Sequence, residues 1–444
     1  MMRKVLECIK CGERYEPYPI KLSCPKCGGP LIPKNIPGID GLRRELLDQG
    51  VWTFRKYLIS ASGERLGVTL GEGLTPLIEA KNLKDYLGIR GVILKDESRN
   101  PLGTFIDRGS ATLVTTALNS GYNRLSIASL GDLGISVSAY ARRAKIRTHV
   151  IMPHSVSPSK AYQTLILAHK VEFTQTYEDA LKKVARLRES LPVTPTNPYL
   201  LDGYRTIYYE IFLKLSKHPS TLIVPIGDGA LLTMVWQALR ELRGSSRVIG
   251  VKGCSSTPIL KDISVDKPLL QDVVNEVIRD SNGLIITVCE SEVLSSIKLL
   301  AELEGMLIEP TGASSLAALI KLHSMGELSR DDEVVVLLTG SSLSDTSILR
   351  LIADKHVKYF DEIKIGYTKL KILEILTLQG PLHPYAIWKI LRNSYGVKVG
   401  LRTLYQHMEE LERLGFVRVS SFKSIGGRIR KIYEVTTKGL MILK

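Results

Sequence analysis

Leu94-Lys-Asp-Glu-Ser-Arg-Asn-Pro-Leu-Gly-Thr-Phe-Ile-Asp-Arg-Gly-Ser-Ala111 is the stretch on which the fold turns. An apolar run, VILK from position 92, feeds into it, and a helical pattern over Arg108–Asn119 leaves it. The alternation continues outward. LSIAS at 125, THVIMP at 148, TLIVPIG at 221, VIGVKG at 248, IITV at 285 and EVVVLLTG at 333 read as strands, and Ile135–Ala144 as a further helix. Strands alternating with helices predict α/β layers with a mainly parallel sheet over residues 35–355. Paired cysteines fill residues 1–34. The charged stretch Asp354–Lys364 leads into a compact helical block with a terminal hairpin over 361–444.

With 444 residues and 44% hydrophobic positions, the chain can bury a large core. No apolar run approaches the roughly 20 residues of a membrane span, and no signal peptide opens the sequence, so a cytoplasmic protein is expected. The net charge is +15. Residues 361–444 hold 15 Lys/Arg against 7 Asp/Glu, so over half of that excess lies in the last 84 residues. A basic solvated surface is the bland reading; a polyanionic partner at the C-terminus is the sharper one.

Cys8-x2-Cys11 and Cys24-x2-Cys27 form two knuckles twelve residues apart, with Gly12 and Gly28 freeing the turns that follow. Four thiolates facing one point predict structural tetrahedral zinc in a zinc ribbon. A redox pair is the alternative, and such ribbons also bind nucleic acid or proteins. Cys254 and Cys289 are isolated in sequence and read as small buried hydrophobes.

Seven motifs stand in a fixed order. They are LGEGLTPL at 70, the quoted stretch from 94, SLGDLGISVSAYA at 129, DGYRTIYYEI at 202, VPIGDGALL at 224, EPTGASSLAAL at 309 and LLTG at 337. In that order they resemble threonine synthase, a fold-type-II enzyme that uses pyridoxal phosphate (PLP), over about 300 residues. The resemblance implies that fold, and it exposes departures. The family motif reads NPTGSFKDRG, and its lysine holds PLP as a Schiff base. Here Ile106 stands at that position, and a branched alkyl group cannot form an imine. Lys95, eleven residues upstream, matches a lysine the family also carries and reads as structural. In Ser129-Leu-Gly131-Asp132 an aspartate replaces the asparagine that contacts the cofactor's phenolic oxygen. In Gly227-Asp228-Gly229 an aspartate enters the phosphate-cradling loop. The TGxGLKD stretch has become Thr339-Gly-Ser-Ser-Leu-Ser-Asp345. PLP is therefore unlikely as a covalent cofactor. A ligand pocket around Ser129, Gly131, Asp132, Gly227, Asp228, Gly229 and Thr339 persists as the expectation.

From Ile365 the chain resembles a PadR-type winged helix-turn-helix. Leu370, Leu373, Ile375, Leu376 and Leu378 mark one helix, and His383–Arg392 a second. Leu401, Leu404, Met408, Leu411 and Leu414 mark the core face of a third, ended by Gly415. Arg402, Thr403, Tyr405 and Gln406 are left facing outward at its N-terminus, where such domains read the major groove. Phe416–Phe422 and Lys431–Thr436 predict a hairpin around Gly426-Gly427, with Lys423, Arg428, Arg430 and Lys431 offered to phosphates. The family's GRxRxxYxxTxxG signature survives from Gly427. Related proteins often dimerise through a C-terminal helix, for which little chain follows Gly439, so a homodimer through the core is expected.

Together these readings predict a DNA-binding transcription regulator, a pseudoenzyme whose core binds a small-molecule effector such as an amino acid or phosphorylated metabolite. Double-stranded DNA is its expected partner. The alternatives are a working PLP-dependent lyase with an appended regulatory domain, a decayed core kept as scaffold, and an adaptor whose winged helix contacts only proteins.

Overall fold

A computed structural model describes residues 2–42, 49–61, 67–255, 257, 259–265, 267–342, 366–397, 399–425 and 428–443. The chain divides into two compact units, Met1–Ile352 and Ala353–Lys444. The charged stretch Asp354–Lys364, Asp345 and the Gly426-Gly427 turn lie outside the described residues.

The first unit opens with a three-stranded antiparallel sheet of β1 (Arg3–Cys8), β2 (Arg14–Tyr15) and β3 (Leu31–Ile36), ordered β2-β1-β3. β3 runs across the expected boundary at residue 34 and is tied to the core. Buried Asn35 donates its backbone N–H to Glu241 Oε1 at 2.8 Å and its side-chain amide to the carbonyl of Tyr57 at 3.1 Å. Leu6, Cys8, Leu31 and Ile32 share one apolar cluster with helices of the core.

Then follow β4 (Leu77–Glu79), α1 (Lys81–Leu87), β5 (Gly91–Asp96), α2 (Ile106–Asn119), β6 (Arg124–Ala128), α3 (Asp132–Arg143), β7 (Arg147–Pro153), α4 (Pro158–Leu167), β8 (Lys170–Thr174), α5 (Tyr177–Arg186) and β9 (Leu191–Val193). The unit continues through α6 (Pro198–Leu215), β10 (Thr221–Pro225), α7 (Ala230–Glu241), β11 (Arg247–Gly253), α8 (Gln271–Asp280), β12 (Leu284–Val288), α9 (Glu290–Glu304), α10 (Pro310–Ser324) and β13 (Glu333–Leu338). Every apolar run read as a strand forms one.

These strands make two sheets. β12-β11-β10-β13-β5-β4 is parallel except for β4, and β8-β7-β6-β9 is wholly parallel. Helices cover both faces, so central strands such as β10 are buried along their whole length. α2 starts at Ile106 and α3 at Asp132, earlier than the apolar pattern alone marks, because their first turns carry polar and glycine residues. At the heart of the unit Arg108 is fully buried between Glu97 (2.6 Å) and Glu210 (2.6 Å). Lys95 completes that network, 2.6 Å from Glu210 and 2.8 Å from the carbonyl of Thr75.

Cys254 and Cys289 correct the expectation of buried hydrophobes. β11 and β12 pair in parallel with Gly253 opposite Val288, so the next residues face each other and form a disulfide. Cys254 is exposed and Cys289 half-buried.

The second unit holds α11 (Tyr367–Gln379), α12 (Pro384–Ser394), α13 (Leu401–Arg413), the antiparallel hairpin β14 (Val417–Ile425) and β15 (Arg428–Val435), and α14 (Thr437–Leu443). Its core gathers Ile372, Leu373, Ile375, Leu376, Ile387, Leu391, Leu404, Met408, Leu411 and Phe416. Three expected core residues are outside it, the first of them Leu370, which is half-buried. Leu378 is 72% exposed because it falls off the stripe formed by Ile372, Leu373, Ile375 and Leu376. Leu401 is 37% exposed at the first position of α13, beyond the packed layer, and Leu414 is half-buried. The hairpin strands also run three residues further than expected at each side of the turn. Lys423 and Arg430 thereby become cross-strand partners rather than loop residues.

Among the described residues, no helix is long and apolar enough to cross a membrane.

Candidate functional site

The sulfur atoms of Cys8, Cys11, Cys24 and Cys27 all lie within 4.8 Å of one another. Cys8 and Cys27 are 3.4 Å apart, Cys11 and Cys24 3.7 Å, and Cys11 and Cys27 3.6 Å. Tetrahedral ligands on a metal at ~2.3 Å stand about 3.8 Å apart, so the clip fits a four-thiolate metal site. Each knuckle is closed from behind: Gly12 N–H donates to the carbonyl of Cys8, and Gly28 N–H to that of Cys24. Both glycines take positive φ there, +68° and +69°. Cys8 and Cys24 are buried and the other two exposed, an arrangement closed on one side by the core.

In the core, the loops after several parallel strands converge on a cavity of about 180 Å³. Ile106, first residue of α2, forms part of its wall, with Phe105 and Tyr204 nearby. The predicted pocket residues Gly131, Asp132, Gly227, Asp228 and Thr339 line it. Ser129 and Gly229 stand behind them. Ser129 Oγ accepts the N–H groups of Gly131 (2.9 Å) and Gly134 (2.8 Å), shaping the turn into α3. Gly229, at φ +87°, turns the chain into α7 where a Cβ would strike Val274.

Residues that sequence reasoning missed decide the chemistry. Lys160 of α4 lies across Gly131, where a Cβ would sit 2.5 Å from the lysine's Cδ, and its ammonium is 2.8 Å from Asp132. Burial would lower the Lys160 pKa, but Asp132, Asp262 and Glu309 outweigh that and hold it well above the ordinary range. Asp132 is thus a paired charge, not the uncompensated carboxylate its sequence position implied. Glu309 accepts from Thr339 Oγ1 at 2.9 Å, and burial, with Asp132 adding to it, pushes its carboxyl up to about 8. Burial likewise raises Asp228, which accepts the backbone N–H of Leu269. Glu309 stood in the quoted EPTG motif; nothing local marked Lys160 or Asp262.

The lining fits PLP poorly. The position from which α2 offers its first side chain is an alkyl group, and Lys160 is held protonated, so no lining residue is poised to form an imine. Lys95, engaged with Glu210, does not line the cavity.

In the winged helix, Arg402, Thr403, Tyr405 and Gln406 are all exposed on the first turns of α13, with Leu404 and Met408 buried beneath them. Wing cations differ in freedom. Lys423 is exposed, Lys431 lies 3.8 Å from Glu412, and Arg430 stacks on Tyr385 of α12 at 5.4 Å. Arg428 stands on β15, and its side chain lies outside the described residues.

This architecture is that of a PLP-type α/β core followed by a winged helix-turn-helix. Residues 68–340, more than half of the chain, match the pyridoxal-phosphate-dependent enzyme family, and the chain belongs to that family. Residues 372–444 match the transcriptional regulator PadR-like family. Threonine synthase of Methanosarcina acetivorans is 32% identical over 375 residues, covering 77% of this chain and 92% of that protein. That of Methanocaldococcus jannaschii is 30% identical, with 79% and 95% covered. Among solved structures, holo diaminopropionate ammonia lyase from Escherichia coli is similar at TM-score 0.57 and 18% identity, covering 65% of this chain and 89% of that one. Maize serine racemase is similar at TM-score 0.55 and 19% identity, with 65% and 93% covered. At such identities the likeness is one of fold.

Proposed function

We propose that this protein is a DNA-binding transcription regulator whose threonine-synthase-like core has given up covalent PLP chemistry and binds a small effector instead. The observation that carries the reading is Ile106, an alkyl side chain in the cavity wall where the enzyme family keeps its lysine. The exposed Arg402, Tyr405 and Gln406 supply base-reading groups, and the four-thiolate clip holds a structural zinc. The protein acts in the cytoplasm as a homodimer, which gives a short winged-helix site the length a specific operator needs. A second reading, a PLP-dependent lyase with an appended regulatory domain, is favoured by the threonine synthase relatives.

Two measurements on the full chain separate these readings. Duplex DNA spanning its own promoter is titrated with protein, and specific binding is expected. Absence of binding both there and to bulk duplex at low salt ends the regulator reading. PLP is then added, and neither a visible aldimine band nor a borohydride-trappable lysine adduct is expected. Ile106→Lys alone is expected to restore little turnover of O-phosphohomoserine, because Asp228 remains in the phosphate-cradling loop; like charges ~5 Å apart at an effective dielectric of ~20 repel by roughly 3 kcal/mol. PLP-dependent turnover by the unaltered chain supports the lyase.

A further inference from the structure

Four carboxylates, Asp132, Asp228, Asp262 and Glu309, line the core cavity, against one ammonium, Lys160. Lys160 is paired most closely with Asp132, at 2.8 Å, and also feels Asp262 and Glu309, so four carboxylates share a single ammonium among the described lining residues. They are within electrostatic reach of one another: Asp262 acts on Glu309 and on Asp228. Once Glu309 ionises, towards about pH 8, such a lining repels phosphate and favours a positively charged group. The enzyme relatives' anionic cofactor is thus the opposite of what this cavity complements.

Acidic side chains alone do not make a site; two donors inside the cavity add a second, independent observation. Tyr204 is only 2% exposed and lines the cavity, yet its hydroxyl makes no hydrogen bond among the described residues. Lys160 is only 7% exposed and spends one of its three N–H groups on Asp132, with no other hydrogen-bond acceptor among the described residues. Buried polar groups are as a rule hydrogen-bonded, so donors left open in a cavity point to a missing acceptor. A carboxylate satisfies that demand, and an ammonium satisfies the acidic side. Both belong to one class of compound.

We infer that the cavity takes a free amino acid noncovalently, its ammonium among Glu309, Asp262 and Asp228 and its carboxylate against Lys160 and Tyr204, and that it rejects phosphorylated ligands. At about 180 Å³ the cavity is little larger than the ~150 Å³ that holds a benzene molecule, so the side chain is short. The apolar wall headed by Ile106 receives that side chain. No bond is made or broken. The inference rests on the core being an effector pocket and narrows the effector to one chemical class.

The test is direct ligand binding to the full, metal-loaded chain by calorimetry and thermal shift, with no DNA present. The probes are each common amino acid, inorganic phosphate and PLP. At least one small amino acid is expected to bind and raise the melting temperature, and its N-acetyl derivative, which lacks the ammonium, is expected not to. Glu309→Gln is expected to weaken binding about tenfold, the loss of one charge-assisted contact, and Tyr204→Phe by a smaller measurable factor. Asp262→Asn, on the short 3-10 segment Lys261–Ile263, serves if Glu309→Gln does not fold. Tighter binding of phosphate or PLP than of any amino acid overturns the inference and leaves the effector pocket standing. Binding of neither class overturns both. Affinity unchanged by both carboxylate substitutions overturns the inference alone.

Discussion

The Lys160 ammonium and the Asp132 carboxylate meet at 2.8 Å across Gly131, joining the N-terminus of α3 to α4. Twenty-eight residues separate them in sequence. The pair turns a carboxylate introduced into the cofactor pocket into a fixed, neutralised strut. Substituting Asp132→Asn strands a buried ammonium. Thermal denaturation should register a loss of about 3 kcal/mol, largely recovered in the Asp132→Asn, Lys160→Met double variant. A single variant as stable as the parent would mean that the pair carries no structural weight.

Glu309 makes pH a second lever. It faces Asp132, Asp262, Lys160 and the Thr339 hydroxyl, and its carboxyl titrates near about 8 instead of its ordinary 4.5, first through burial and then through Asp132. Because the folded chain holds this proton more tightly than the unfolded one, the stability it contributes is full below 4.5. That contribution is lost as pH rises through about 8. Melting temperatures of the ligand-free protein should therefore fall across this window, and Glu309→Gln should flatten the fall. Amino-acid binding should run the other way, tightening towards about pH 8, since only the ionised carboxylate attracts ammonium.

Metal content follows from the four sulfurs. Freshly reduced protein should carry one equivalent of zinc per chain, and Cys8→Ser or Cys24→Ser, each removing a buried ligand, should lose it. Elemental analysis near zero in the unaltered protein would remove the claim.

On DNA, Arg402 and Lys423 should behave differently. Arg402→Ala, on the first turn of α13, should weaken specific binding by about 1–3 kcal/mol and blur preference at one base pair. Lys423→Ala, on the wing, should weaken all sequences alike and lower the salt slope by about one unit. Identical behaviour of the two variants across sequences and salt would show that α13 does not read bases.

What the sequence made legible was what lies close together along it. Strand runs, the knuckles of Cys8–Cys11 and Cys24–Cys27, and the outward face of Arg402, Tyr405 and Gln406 all have short periods. Periodicity failed where helices end: Leu401 and Leu378 repeat like core residues but sit beyond the packed layer. It also failed wherever the fold brings distant segments together. Lys160 has no local signature that distinguishes it from a surface lysine, and it reaches Asp132 only because α3 and α4 are neighbours. Cys254 and Cys289, 35 residues apart, meet only through the register of β11 and β12. Lys423 and Arg430 read as loop cations because the pattern underestimated how far the wing stays paired.

Asn35 grips Glu241 from the last strand of the cysteine-bearing sheet, and Glu241 is held in turn by Arg205 at 2.9 Å, all three buried. Peeling that strand away would take two hydrogen-bond donors, the Asn35 backbone N–H and side-chain amide, from a buried carboxylate. The ribbon therefore cannot unravel as a detachable finger does, leaving the rest intact. With the zinc proposed for the clip, metal capture and folding of the body would become one cooperative event, and scarcity of the ion would be felt as fewer folded molecules, not as a weakened contact surface.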